Sequence, residues 1–274
     1  MNDVSADWIG HTREATETIT DRQVREFRVT LDGVLDDGAP LAGLHWCLTP
    51  EVYPPADLGR DAHPKLGLFL PDLGLPRRMW AGGRLSYKGE VTAGDTVTRE
   101  TRIRDIKFKE GRTGKLGFVT LDHDYTVAGD LRVSEEHNIV YRDDPSPDAP
   151  GPVPPQAEPW TPLKRIDVLP NPTLLFRYSA MTFNGHRIHY DPAYATGVEG
   201  YAGLVVHGPL QSTWMQIMAT ALLGHLPTEF SYRGLSPLTC NRPAAIEAIA
   251  ADQGLSLRVR DLDANVVTMA ASAR

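Results

Sequence analysis

A dense group of polar side chains occupies residues 178–191, in the second half of the chain. His186, Arg187 and His189 stand within four consecutive positions of this segment. The segment lies between two predicted helices, and the second of these begins at residues 207–209, His-Gly-Pro. Loops held by rigid neighbours often carry catalytic side chains, and free backbone N–H groups at a helix N-terminus can bind an oxyanion or a polarised carbonyl. The sequence therefore predicts an active site here.

The same segment contains side chains of metal-ligating types. His186, His189, Asp191 and His207 could each hold a cation. Their spacings of three and two residues within a loop do not force convergence, unlike the ligand spacing of zinc motifs. An imidazole that is catalytic, or bound to a neighbouring group, is the better interpretation. The sequence predicts no metal and no cofactor.

Regular elements on both sides position this segment. The pattern predicts a helix over 173–182 and a long apolar helix over 209–223, with Pro209 in its first turn and Gly224 at its end. Apolar residues lie all around the second helix, so we expect it to be buried on most sides. Strands are predicted over residues 229–235, 244–250, 256–261 and 265–271. A buried helix wrapped by an antiparallel sheet is the hotdog arrangement, an α+β fold.

The first half of the chain is also rich in predicted strands. A helix capped by Thr20 comes first, and a loop crowded with proline and glycine then occupies residues 50–76. Loops of that length are often functional. Alternating segments follow, separated by turn residues, and these predict an antiparallel meander. Their bounds are 84–91, 96–108, 116–127 and 131–141.

A proline-rich segment divides the chain into two blocks of similar size. Residues 143–162 contain eight prolines, a composition that excludes a helix or a central strand and predicts a semi-rigid linker. The predicted domains are therefore 1–142 and 163–274. The tetrapeptide Ser-Tyr-Lys-Gly at residues 86–89 returns as Ser-Tyr-Arg-Gly 145 residues later. Together with the similar length and element order of the blocks, this repeat predicts a double hotdog. Its first half has a degenerate central helix, replaced by the 50–76 loop, which leaves room for a long ligand.

Composition excludes several classes of protein. Hydrophobic residues make up 41% of the chain, enough for an ordinary core, and 28 Lys and Arg against 35 Asp and Glu give a net charge of −7. This acidic balance argues against nucleic-acid and membrane-surface partners. Two distant cysteines, Cys47 and Cys240, exclude a disulfide scaffold. No apolar stretch approaches the ~18 residues of a membrane span, and residues 1–10 lack the apolar core of a secretory signal. The sequence predicts a soluble protein of a reducing compartment, most simply the cytoplasm.

Several segments resemble one enzyme family. Residues 183–191 (Phe-Asn-Gly-His-Arg-Ile-His-Tyr-Asp), followed by 194–195 and by 203–210 (Gly-Leu-Val-Val-His-Gly-Pro-Leu), resemble the MaoC-like hydratase superfamily. Residues 76–85 and 135–143 of the first block are similar to the two-hotdog branch of that superfamily. This branch includes type 2 hydroxyacyl-thioester dehydratases and bacterial mesaconyl-C4-CoA (3-methylfumaryl-CoA) hydratases. The resemblance spans most of the chain, and residues 184–191 are its most specific part.

The resemblance assigns the catalytic roles. In the short motif of the superfamily an Asp precedes the catalytic His by five residues, so that His189 falls on the His and Asn184 on the Asp. The implied reaction is reversible hydration of an α,β-unsaturated acyl thioester. His189 would act as general base on the attacking water, Asn184 would hold that water through its amide oxygen, and the Gly208 N–H would stabilise the enolate oxygen. Because an amide cannot act as a carboxylate base, two sources of the α-carbon proton stay open, His189 and Asp191.

The resemblance also implies an acyl-CoA substrate. The dicarboxylic acyl group of mesaconyl-C4-CoA is the first expectation, and itaconyl-CoA and (R)-3-hydroxyacyl thioesters are alternatives. A carboxylate calls for a guanidinium, so Arg187 and Arg84 are predicted to bind it, and Tyr178 is assigned to substrate binding as well. The other functional classes are a hotdog thioesterase, which would need a carboxylate near its water, and a non-catalytic acyl-thioester-binding module. Hotdog domains usually pair, so the chain either supplies its own partner domain or forms a homodimer.

Overall fold

A computed structural model describes residues 7–111, 114–144 and 153–274 of the protein. Its ten strands form an antiparallel sheet in the order β1-β3-β4-β5-β2-β7-β10-β9-β8-β6. The strand bounds are β1 (Thr12–Thr18), β2 (Arg77–Tyr87), β3 (Thr96–Gly111), β4 (Gly114–Val127), β5 (Asp130–Arg142), β6 (Lys164–Val168), β7 (Phe230–Gly234), β8 (Ala244–Ala251), β9 (Gly254–Asp261) and β10 (Val266–Ala273).

The strand order is the same in the two halves of the sheet when each half is followed from its outer edge. Strands β1, β3, β4, β5 and β2 correspond to β6, β8, β9, β10 and β7, and the central strands β2 and β7 pair with each other. Leu85 pairs with Phe230, and these residues are separated by the same 145 positions as the repeated tetrapeptide. The local two-fold relation therefore passes through this pair. The α+β double hotdog predicted from the sequence is confirmed.

The helices also follow the predicted order. Their bounds are α1 (Asp21–Thr30), α2 (Pro172–Thr182), α3 (Pro192–Gly197) and α4 (Gly208–Leu223). Thr20 caps α1 by accepting the Gln23 N–H, as the sequence predicts. Residues 209–220 of α4 are all buried, and α4 packs against β8, β9 and β10. Among the described residues of the first half, α1 is the only α-helix, and the 50–76 loop forms only the short 3-10 turn Pro55–Asp57.

Two strands are absent from the sequence prediction, and both lie at sheet edges. β1 and β6 alternate between intermediate and exposed residues and bury no side chain fully. Each pairs with one neighbouring strand only. Edge strands need little apolar surface, and natural edges favour charged side chains. The alternation of apolar and polar residues that marks a buried strand is therefore missing from β1, and in β6 it is limited to Ile166 and Val168.

Strand β2 begins seven residues before its predicted start. The sequence did not predict its first half as strand because that half contains glycines. It carries a β-bulge between Trp80 and Gly82. A Cβ atom on Gly83 would lie 2.2 Å from the Glu136 carbonyl oxygen of β5, so the close approach of these two strands requires glycine there. Glycine usually weakens a strand and marks bulges or close backbone contact, and here it marks both.

The described part of the predicted linker packs on the second half. The Ala157 N–H donates to the Asn265 carbonyl at 2.8 Å, and the Arg258 guanidinium lies 4.0 Å from the centre of the Trp160 ring. Residues 145–152, which carry four of the eight prolines, lie outside the described residues. The domain boundaries at residues 142 and 163 stay a prediction.

Candidate active site

A cavity of about 2340 Å³ is lined by both halves of the chain. The first half contributes parts of the 50–76 loop and of strands β2 and β5, and the second half contributes the loop after α2, the N-terminus of α4 and strand β7. Of the predicted site residues, four line this cavity and two do not. Those that line it are His189, Asn184, Gly208 and Arg84.

His189 is held in one tautomer by its backbone contact. It ends the 3-10 turn Arg187–His189, and its Nδ1 lies 2.7 Å from the Val205 carbonyl oxygen. A carbonyl only accepts, so Nδ1 carries the proton and Nε2 keeps its lone pair. Burial lowers the pKa of His189 well below its usual range, and the neighbouring His207 adds to this shift. The two imidazole rings stack at 3.6 Å between centroids. His189 is therefore a neutral imidazole of fixed orientation in the cavity wall.

Asn184 shapes the turn that precedes His189. Its Oδ1 accepts the His186 backbone N–H at 2.9 Å, which is the Asx turn that Asn-Gly sequences commonly form. One lone pair of this oxygen is thus used within the protein. The predicted role of Asn184 in holding water stays a prediction, and its amide supplies no exchangeable acid or base in either case.

The N-terminus of α4 opens into the cavity at Gly208. As the first residue of the helix, Gly208 has a backbone N–H without an intrahelical acceptor, and the helix dipole favours negative charge at this end. A Cβ atom at this position would lie 3.7 Å from Trp80 and 3.7 Å from the methyl group of Met269, so a side chain would narrow the cavity here. This geometry suits a polarised thioester carbonyl.

Tyr178 does not contact the cavity, contrary to its assignment from the sequence. Its side chain is fully buried in the main hydrophobic core, with its hydroxyl 3.3 Å from Thr213 Oγ1 on α4. The side chain on the next residue, Ser179, lines the cavity instead and lies 2.8 Å from His207 Nε2. Successive residues of a helix are rotated by about 100°, so Tyr178 and Ser179 point in different directions. Tyr178 packs in the core, and Ser179 faces the cavity.

Arg187 also lies outside the cavity wall. Its guanidinium bonds the Asp191 carboxylate at 2.7 Å and stacks 4.2 Å over the Tyr194 ring. The Tyr194 backbone N–H donates to Asp191, and with the Arg187 bond it holds the pKa of this carboxyl below its usual range. The Asp191 carboxylate is therefore engaged outside the cavity wall, a position that does not support its predicted role as α-carbon acid. Arg84 lines the cavity from an exposed position on β2.

The structure adds Asp61, His63 and Glu199, which the sequence did not single out. The Asp61 carboxylate accepts from His63 Nδ1 at 2.9 Å. The Glu199 carboxylate accepts from His186 Nε2 at 3.3 Å and forms a buried salt bridge with Arg77 at 3.2 Å. The length of the 50–76 loop was the one signal that could have located His63. No local pattern indicated which side chain it meets.

Asp61, His63 and His186 lie close enough to hold a metal ion, because their ligand atoms are within 4.8 Å of one another. One carboxylate and two imidazoles would suit a divalent transition metal. Their hydrogen bonds already use these groups, however, since Asp61 is bonded to His63, and Glu199 accepts from His186. Each of these two imidazoles thus already has a carboxylate acceptor that fixes its orientation.

The part of the cavity wall that comes from the first half is polar. The Trp46 Nε1–H donates to both oxygens of Glu135, at 3.0 and 3.1 Å, while burial raises the pKa of Glu135 to about 7. His137 Nε2 is buried without a hydrogen-bond partner among the described residues. Arg78 is half-buried in the same wall and forms no salt bridge to a described residue. A long alkyl chain would desolvate these groups without bonding them.

Comparison with known proteins assigns the family. The family model described as "Hydroxyacyl-thioester dehydratase type 2" matches residues 43–240. The chain belongs to this family. A mesaconyl-C(4)-CoA hydratase from Chloroflexus aurantiacus is 39% identical over 235 residues, 84% of each chain. The type 2 dehydratase family thus makes this protein a hydro-lyase, a hydratase or dehydratase of acyl thioesters.

Solved structures show the same fold. HtdX of Mycobacterium tuberculosis superposes with a TM-score of 0.68 at 18% identity, over 96% of this chain and 99% of HtdX. A MaoC-like dehydratase superposes with a TM-score of 0.70 at 13% identity, over 97% and 98% of the two chains. These superpositions confirm the predicted fold, and the family model and the 39% identical relative confirm the predicted family relationship. Separately, the described residues contain no helix that is both long and apolar enough to cross a membrane.

Proposed function

We propose that the protein reversibly hydrates a short branched or dicarboxylic α,β-unsaturated acyl-CoA, with mesaconyl-C4-CoA, giving citramalyl-CoA, as the leading substrate. The observation that carries this proposal is the buried, neutral His189, held through Nδ1 with Nε2 free, in a cavity that the α4 N-terminus also lines. The 39% identity to a mesaconyl-C(4)-CoA hydratase supports the choice of acyl group.

The reaction follows from these two groups. His189 Nε2 takes a proton from water as the oxygen attacks the β-carbon. Electron density moves to the thioester carbonyl, and the Gly208 N–H with the positive end of α4 stabilises the developing enolate oxygen. The α-carbon then takes a proton to give the 3-hydroxyacyl product. Microscopic reversibility makes the same groups serve the dehydration.

The polar wall of the first half supports a dicarboxylic rather than a fatty-acyl substrate. Water adds to the carbon that bears the distal carboxylate in mesaconyl-C4-CoA, so this carboxylate must lie near the catalytic histidine. Burial is the main cause of the lowered pKa of His63 and of His137, and the charge of Arg78 adds to both shifts. Arg78 is therefore close enough to influence both sides of the cavity. We therefore place the carboxylate at Arg78, with Arg84 as the alternative partner.

A parallel assay tests the proposed function. We expect purified protein to remove the enoyl-thioester absorbance of mesaconyl-C4-CoA faster than that of itaconyl-CoA or crotonyl-CoA. A preference for itaconyl-CoA, or dehydration of (R)-3-hydroxyacyl thioesters alone, would keep the hydro-lyase and replace the substrate. Release of free thiol without loss of the double bond would indicate a thioesterase instead. Cytoplasmic location and assembly into a homodimer also stay predictions.

Replacement of Arg78 tests the carboxylate site. We expect Arg78→Met to lower kcat/KM for mesaconyl-C4-CoA by about 10- to 100-fold, since a hydrogen bond to a charged group contributes about 1.5–3 kcal/mol. Crotonyl-CoA, which has no free carboxylate, should lose little. Arg84→Met is the matched control on the same strand. An equal loss for both substrates, or a selective loss in Arg84→Met only, would contradict the assignment to Arg78.

A further inference from the structure

The second half of the chain does not supply a complete acid–base set for the reaction. Hydration needs one group that takes a proton from water and a second route that delivers a proton to the α-carbon. Asn184 cannot exchange a proton, and the Asp191 carboxylate is bound to Arg187 outside the cavity wall. If His189 does not return the proton itself, the group that delivers it lies on another element of the cavity wall.

The 50–76 loop brings an Asp–His pair to this position. It packs directly on the turn before His189, because the Ala62 carbonyl oxygen would lie 3.3 Å from a Cβ atom on Gly185. The Arg187 backbone N–H donates to the Asp61 carbonyl at 3.1 Å, which ties the loop to the catalytic segment. Ala62 adopts φ +68°, a left-handed conformation that costs a non-glycine residue energy and recurs at functional sites.

The hydrogen bonds of this pair orient His63 for proton exchange. Its Nδ1–H donates to the Asp61 carboxylate, and the His63 backbone N–H donates to the other carboxylate oxygen at 3.0 Å. His63 Nε2 is therefore the nitrogen left for exchange, and the ring lines the cavity. An imidazole held by a carboxylate through Nδ1 is a common way to orient an acid or base and to stabilise its charged form.

Three imidazoles form a row along the cavity wall. The ring centroids of His63 and His186 are 4.4 Å apart, and those of His186 and His189 are 5.5 Å apart. Each ring bonds a different acceptor, since His63 uses Asp61, His186 uses Glu199 and His189 uses the Val205 carbonyl. Both end rings therefore present a free Nε2, and a carboxylate is bonded to the middle ring.

We infer that His63, oriented by Asp61, is the catalytic residue that exchanges the α-carbon proton, opposite His189 at the β-carbon. This inference rests on the proposed function. In hydration, the water proton goes to His189, the hydroxide oxygen bonds the β-carbon, and the π electrons move to the enolate. The proton on His189 then passes to the neutral His63 past His186, and the resulting His63 Nε2–H protonates the α-carbon, which leaves both imidazoles neutral again. Dehydration reverses every transfer, so only water is gained or lost.

The test compares His63→Gln with His225→Gln, a matched change at an exposed histidine. We expect His63→Gln to lower kcat about 100-fold or more, within the range for general acid–base catalysis, with little change in KM. The deuterium isotope effect on dehydration of the α-deuterated hydroxyacyl-CoA should rise, because cleavage of the α-C–H bond becomes rate-limiting. Asp61→Asn should show the same two changes at smaller size. His225→Gln should match wild type.

The outcomes separate this inference from the proposed function. If wild type hydrates no enoyl-CoA, the proposed function fails first. If wild type is active and folded His63→Gln keeps its kcat, or loses kcat without a larger isotope effect, His63 is not the α-carbon acid. If EDTA abolishes wild-type activity and Zn²⁺ restores it, Asp61, His63 and His186 hold a metal and the inference is overturned.

Discussion

Replacing His189 by asparagine should lower kcat for hydration by about 10³-fold, in the middle of the 10²–10⁴ range of general acid–base catalysis. The asparagine amide can still donate to the Val205 carbonyl, which His189 Nδ1 bonds at 2.7 Å. It has no basic nitrogen to take a proton from water. The variant thus removes the base and keeps the internal hydrogen bond, whereas His189→Ala removes both.

The measurement is the initial rate of enoyl-thioester loss in wild type, His189→Asn and His189→Ala, with thermal unfolding recorded for each. We expect the two variants to be equally slow, and His189→Asn to be the more stable because His189→Ala leaves the Val205 carbonyl without its donor. His225→Gln again serves as control. A folded His189→Asn protein with activity within about threefold of wild type would show that water is activated by another group.

Acidification from pH 7.5 to 5 should lower the free energy of unfolding by at least about 4 kcal/mol. Burial lowers the pKa of His45, His137 and His207 to about 3. Histidine in the unfolded chain has a pKa near 6.5. Below that pH the unfolded chain therefore binds protons that the folded protein does not bind. The stability that these groups confer is complete above pH 6.5 and is lost as pH falls towards 3.

The size of each contribution decides whether acidification stabilises or destabilises the fold, because the buried carboxyl group of Glu135 acts in the opposite direction to the histidines. Each of the three histidines costs about 2 kcal/mol at pH 5, or about 6 kcal/mol together. Burial raises the pKa of Glu135 to about 7, so its folded form prefers the proton, and acidification from pH 7.5 to 5 returns about 2 kcal/mol. The effect of the histidines is larger, and the lowered pKa values of His63, His123 and His189 add to it. The loss is a large part of the 5–15 kcal/mol that stabilises an ordinary domain.

Urea unfolding at several pH values between 5 and 7.5 measures this effect, and His45→Gln isolates one histidine. His45 is 1% exposed, so we expect the slope of unfolding free energy against pH to fall by about 1 kcal/mol per pH unit between pH 5 and 6 in this variant. The slope is insensitive to any constant loss of packing. The surface variant His225→Gln should leave it unchanged, and an unchanged slope in His45→Gln would exclude a depressed pKa there.

Local sequence patterns predicted much of the fold and part of the candidate site. Helix α4 was predictable because proline at its start, glycine at its end and apolar residues on every side are signals within one segment. The chemistry-bearing loop with His189 was predictable from its composition. Edge strands β1 and β6 were not, since an edge needs little burial.

The direction of each side chain was less predictable than its position. Tyr178 and Ser179 are neighbours in the sequence, yet one packs in the core and the other faces the cavity. Arg187 begins the 3-10 turn that ends at His189, but its carboxylate partner is Asp191, four positions along the chain. Sequence proximity to His189 therefore suggested contacts that the backbone geometry does not allow.

The sequence by itself determined the order of elements, the duplication and the loop that holds His189, because hydrophobic pattern, turn chemistry and motif are properties of short segments. Only the tertiary structure decided that the 50–76 loop lies against that loop and that Asp61 and His63 stand beside His186. The Asp61 carbonyl and the Arg187 N–H are 126 positions apart in the chain. Contacts over such separations depend on how the two halves pack around the cavity, and no local pattern records that packing.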